Sequence, residues 1–123
     1  MSNAIKYNDN DDLKYAIRYN GLEESFNESE IEEIVAEVPG ENDGAYWYWI
    51  VRLTSGKFSL LVGCCDYTGW DCQSGLDVEG IFDTELQAAE SAIEKDSYGR
   101  PIRKNLVGQV KGTYPKFTLW EQN

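Results

Sequence analysis

The stretch from Ala45 to Leu53 constrains this chain more than any other: nine residues, six of them aromatic or β-branched. That composition reads as a β-strand. Thr54-Ser55-Gly56-Lys57 then supplies a short glycine-containing turn, and Phe58 to Cys65 returns as a second strand. Alternation places Tyr46, Tyr48, Ile50 and Arg52 on one face and Trp47, Trp49, Val51 and Leu53 on the other. Neither face is polar throughout. The hairpin, about residues 45–53 and 57–65, therefore belongs at the centre of a sheet and needs helices over at least one side.

The flanking residues supply candidate helices. Leu13, Ala16 and Ile17 form an apolar stripe behind the polar run Asn8 to Asp12, predicting a short helix over residues 12–19 that ends at Gly21. Ser29 with Glu32 three residues later makes a capping box, and Ile31, Ile34, Val35 and Val38 follow at helical spacing. Residues 29–38 are thus expected to form a second helix, stopped by Pro39-Gly40. A third starts at Asp83 or Thr84, with Thr84 and Gln87 as its capping box and Leu86, Ala89, Ala92 and Ile93 as its stripe. Pro101 suits the first turn of a fourth, with Ile102, Leu106 and Val110 four apart, although Gly108 weakens it. Lys116 to Trp120 reads as a strand. The expected fold is α+β: one domain over residues 1–123, with a small antiparallel sheet built on the central hairpin and three to four helices packed on it. An acidic helical part (1–43) precedes a sheet-plus-helix part (45–123).

Charge is segregated along this chain. Of 22 acidic and 11 basic side chains, residues 1–45 hold twelve acids and three bases, whereas residues 96–123 hold two and five. A net charge of −11 repels nucleic acid and anionic membrane and attracts basic protein surfaces. Arg100, Arg103, Lys104, Lys111 and Lys116, near Tyr98, Tyr114 and Trp120, are the one feature favouring phosphate contact. A basic face that meets the acidic N-terminal region of a second copy, giving a homodimer, explains them as well.

No run of eighteen apolar residues is present, and the polar, acidic start lacks the pattern of a signal peptide. These features predict a cytoplasmic protein, in the host cytoplasm given a phage origin. Cys64, Cys65 and Cys72 are too few and too odd in number for a secreted disulfide framework, so thiols are expected, one of the adjacent pair packing inward. Their spacing does not suit zinc, and acidic neighbours Asp66, Asp71 and Asp77 argue against a reactive thiolate at Cys72. No metal or other cofactor is expected.

The segment from Cys64 to Gly75 is the most distinctive string. Its core, Cys65-Asp66-Tyr67-Thr68-Gly69-Trp70-Asp71-Cys72-Gln73, after a strand pair and before an Asp-Thr-led helix, resembles one that recurs in a family of small uncharacterised bacterial and bacteriophage proteins. The likeness covers roughly residues 48–93. It implies a shared local fold and a mobile-element origin, and no activity. Two physical readings of the loop stand: a packed corner in which Trp70 caps the core, and a binding surface offering Asp66, Tyr67, Trp70 and Asp71. An EF-hand from Asp66 to Asp77 fails, because its glycine-requiring sixth position is Asp71.

The absence of histidine removes histidine-dependent triads, proton shuttles and imidazole metal sites. No phosphate loop, dinucleotide fingerprint or nucleophile elbow is present. The chain is read as a binder and not an enzyme. The leading expectation is an acidic inhibitor or adaptor. Glu23, Glu24, Glu28, Glu30, Glu33 and Glu37 would occupy a basic surface of a nucleic-acid-processing enzyme as phosphates do. In size, charge and composition the chain is similar to small acidic phage anti-defence proteins, the anti-CRISPR and anti-restriction inhibitors. The competing expectation is a small-ligand module with an aromatic pocket at Trp47, Trp49, Tyr67 and Trp70.

Overall fold

The computed structural model describes residues 5–6, 11–22, 25–41, 44–65 and 75–113. An antiparallel sheet of five strands in the order β1-β2-β3-β4-β5 runs through it. These are β1 (Ile5–Lys6), β2 (Ile31–Val38), β3 (Trp47–Leu53), β4 (Phe58–Cys64) and β5 (Gly75–Phe82). Three helices accompany them: α1 (Asp11–Asn20), α2 (Glu85–Glu90) and α3 (Ile102–Lys111). The chain is α+β in character, as its pattern predicts.

Helices cover the sheet on both sides. One core joins Leu13, Ala16 and Ile17 of α1 to Trp47, Trp49, Val51 and Leu53 of β3. The other joins Tyr48 and Ile50 to Ala88 and Ala89 of α2 and to Ile102 and Leu106 of α3. Two layers of helix around β3 explain why its seven residues are apolar on alternate positions of both faces.

The expected second helix is a strand, and this corrects the reading of residues 29–38. Only a 3-10 turn, Glu28–Glu30, precedes β2. The helical spacing of its apolar residues has a different cause. Register shifts fall between Ile31 and Glu33 and between Ile34 and Ala36 as β2 pairs with β3. Each places an extra residue opposite one partner. The first keeps Ile31 and Ile34, three apart, in the same α1-side core, and the second puts neighbours Val35 and Ala36 together in the other. Two bulges thus reproduce in a strand the spacing of a helix face. β-Branched side chains and pairing to β1 and β3 favour the extended form.

Thr84 caps α2, its hydroxyl accepting from the Gln87 amide at 3.0 Å. Helix α2 is short, and Ile93, expected in its stripe, is 52 % exposed. Helix α3 ends at Gly112, whose φ of 79° suits glycine. The expected C-terminal strand at residues 116–120 lies outside the described residues.

The cysteine reading also needs correction. Cys65 is buried in the α1-side core, as one of the pair was expected to be, but it is disulfide-bonded rather than a thiol. Cys64 is not part of that bond.

Candidate functional site

The β2–β3 connection must fold back tightly. The Glu41 amide bonds the Ala45 carbonyl at 2.8 Å. A side chain at Gly40 would collide with the backbone of Ala45 and Tyr46 and lie 2.8 Å from the Trp47 ring. Both ends of this connection are held by one residue, Arg100, which is 1 % exposed. Its guanidinium donates to the Pro39 carbonyl and, at 2.7 Å, to the Tyr46 carbonyl.

Asp96 neutralises Arg100 through a 2.6 Å bond to Nε. Its other oxygen accepts the amides of Tyr98 at 3.0 Å and Arg100 at 2.8 Å, closing the loop between α2 and α3. This closure explains why Tyr98 faces water: in an Asp-Ser-Tyr-Gly turn tied at both ends, a large ring has no core to enter.

The two loops meet over the start of β3. Between them lies a cleft of about 400 Å³ lined by Gly44, Tyr46, Tyr48, Ile93, Asp96, Ser97 and Tyr98. Five large apolar or aromatic residues are exposed among those described, and three of them, Tyr46, Ile93 and Tyr98, line this one cleft. Clustering of this kind marks recognition surfaces more often than isolated exposed apolar residues do. No described residue lining it is basic.

Tyr48 forms the floor. Burial pushes its hydroxyl pKa up to about 12, and the nearby Asp96 carboxylate pushes the same way, partly countered by Arg100. Tyr46 and Glu79 add smaller upward contributions. Below pH 10 both folded and unfolded chains keep this proton. Above it the unfolded chain releases first, so Tyr48 withdraws up to roughly 3 kcal/mol of stability between pH 10 and 12. Tyr48→Phe should abolish that alkaline loss, which unfolding curves at pH 9 and 11 would reveal. An equally steep loss in the variant would assign it to other groups.

The acidic residues singled out from sequence do not share one face. Glu30 accepts from the Asn27 amide at 2.8 Å, in the turn that also holds Glu28. Glu33 pairs with Arg52 at 2.5 Å, where Glu32 also binds at 3.1 Å. Glu37 is buried and accepts the Trp49 indole N–H at 2.7 Å. Strand alternation and bulges separate what a helix would have aligned. Glu23, Glu24, Asp66, Tyr67, Trp70 and Asp71 lie outside the described residues.

Trp47 and Trp49 are core rather than pocket, which corrects the aromatic pocket expected at these two residues. Trp49 is wholly buried and Trp47 nearly so; their rings stack with centroids 6.5 Å apart. Trp47 donates to Asp12 at 3.2 Å. Each buried indole thus meets a carboxylate, as a polar edge in an apolar core requires.

Sequence reasoning missed the tyrosine cleft because its walls come from segments about fifty residues apart. The available signal was Tyr98 within a polar turn, with Asp96 and Arg100 four apart. Among the described residues no group of acids or cysteines is arranged to hold a metal ion, and no helix is long and apolar enough to cross a membrane. Comparison of the chain with protein-family models, curated proteins and solved structures finds no match.

Proposed function

We propose that this chain is an acidic protein-binding inhibitor or adaptor that occupies a basic, nucleic-acid-binding surface of a partner enzyme. The observation carrying this reading is the cleft: exposed aromatic residues gathered in one place, with no basic lining, on a chain of net charge −11. Aromatic anchors supply contact area, and the surrounding negative field steers a basic partner toward them. The phage anti-defence reading rests on the same acidity and small size. In that setting the partner is a nuclease of a bacterial defence system.

The test is affinity capture from lysate at low and high salt, with the wild type beside Tyr46→Ser/Tyr98→Ser. Wild type is expected to retain a stoichiometric, salt-sensitive nucleic-acid-processing enzyme, and the double variant to retain much less. An empty wild-type eluate would refute the proposal. The cleft volume favours a second reading, since small-molecule sites are often about this size. A nucleotide or metabolite that raises the melting temperature of wild type but not of the double variant would establish it.

A further inference from the structure

We propose that the tyrosine cleft is an arginine-binding subsite, taking a guanidinium from a basic segment of the partner between the rings of Tyr46 and Tyr98. This inference rests on the inhibitor reading and adds the chemistry of the group recognised. Three observations carry it.

The first is the state of the rings. Tyr46 and Tyr98 are 49 % and 58 % exposed, on opposite loops, and line the same cleft. The stacked ring pairs among the described residues are Tyr15–Tyr19 and Trp47–Trp49, so neither wall is stacked on another ring of the cleft. Two rings that are not stacked on each other, in a cleft of about 400 Å³, can each offer a face to a planar cation, which the ring quadrupole attracts.

The second is the acceptor inside. Asp96 lines the cleft, and its carboxylate takes three hydrogen bonds: two at Oδ1 from backbone amides and one at Oδ2 from Arg100. An ionised carboxylate has about four acceptor positions. Oδ2 therefore keeps one acceptor position, on a side chain that is 7 % exposed where it lines the cleft. The Tyr48 hydroxyl, also in the lining, stays protonated through the physiological range and offers a second acceptor.

The third is charge. Glu79 is close enough to act electrostatically on Tyr48, while Glu41 and Glu94 are exposed on the two loops that form the walls. Arg100 lies behind the cleft, but it is buried and committed to Asp96 and two carbonyls. Lys95 is exposed on one loop but does not line the cleft. Arg103, whose Nε donates to the Ala92 carbonyl at 2.9 Å, is likewise outside the lining, so among the described residues the cleft that an approaching group meets is aromatic and without a basic side chain. Arginine fits better than lysine because its flat, weakly hydrated guanidinium stacks on a ring and still donates at its edge.

The experiment is calorimetric titration of the folded protein, at low salt, with a blocked peptide alternating glycine and four arginines, and with its lysine counterpart. Wild type is expected to bind the arginine peptide roughly tenfold more tightly than the lysine one. Tyr46→Ala/Tyr98→Ala should erase that preference while leaving salt-sensitive binding of both peptides, and Tyr46→Phe/Tyr98→Phe should restore it. Equal affinity of wild type for the two peptides overturns the inference, as does a preference that survives loss of both rings. A partner captured equally well by the ring-less variant would sink the subsite yet leave the inhibitor reading standing. An empty wild-type capture would remove the reading itself.

Discussion

Replacing the buried Arg100 with methionine is expected to lower unfolding free energy by roughly 3–5 kcal/mol. Methionine keeps the apolar stem but removes every donor. The Asp96 carboxylate, whose side chain is 7 % exposed, then loses its counter-charge. The carbonyls of Pro39 and Tyr46 lose the guanidinium that joins them across the β2–β3 connection. Breaking a buried pair from one side costs more than the pair is worth, because the remaining charge stays desolvated. The double variant Arg100→Met/Asp96→Asn should therefore recover part of the loss. Urea unfolding of both single variants and the double would establish the coupling. A loss under about 1 kcal/mol for Arg100→Met, or strict additivity in the cycle, would show that the cluster is not a desolvated pair. Because Arg100 also fixes the Tyr46 carbonyl, the variant should lose the arginine preference of the cleft along with stability.

Gln109→Leu is the second substitution expected to be severe, at about 2–4 kcal/mol. Beyond the two residues of β1, the outer edge of β2 meets the side chain of Gln109. That amide accepts from the Glu37 N–H at 3.0 Å and donates to the Glu37 carbonyl at 2.8 Å. It stands in for one residue of a neighbouring strand. Its nitrogen also donates to Asn105 Oδ1 at 2.7 Å, so the network spans one turn of α3. Leucine preserves the volume in this buried position but removes all three hydrogen bonds. Native-state hydrogen exchange gives the specific signature: protection at the Glu37 amide should fall by more than at amides in the middle of β3. Uniform loss across the sheet would mean that Gln109 supports the core only by packing.

Much of the fold was legible wherever residue type and period agreed. Helix α1 is an example: Leu13, Ala16 and Ile17 supply the buried stripe, and Gly21, with φ 77°, bonds its amide to the Ile17 carbonyl. Thr84 and Gln87 form their capping box for the same local reason. Legibility ended where spacing had two causes. Ile31, Ile34, Val35 and Val38 satisfy a helix face and a twice-bulged strand equally, and nothing within ten residues separates the two. The choice was made by β3, whose pairing is long-range in sequence. The consequence reaches function, because the acidic ridge expected on that helix does not form. Its glutamates instead join separate tasks, capping a turn, pairing with Arg52 and receiving an indole N–H.

The sequence by itself determined the sign of the field, the absence of histidine chemistry, the α+β class and the alternation of β3, all of which depend on composition or on neighbours a few residues apart. Only the tertiary structure decided which aromatic residues are core and which are surface. Trp47, Trp49, Tyr46 and Tyr98 are all large aromatics with a polar edge, and propensity does not rank them. Stacked indoles with carboxylate partners filled one face of the sheet, while Arg100 drew two distant loops together and left their tyrosines facing solvent. Burial is settled by what the rest of the chain brings to a position, and no residue carries that in its own identity.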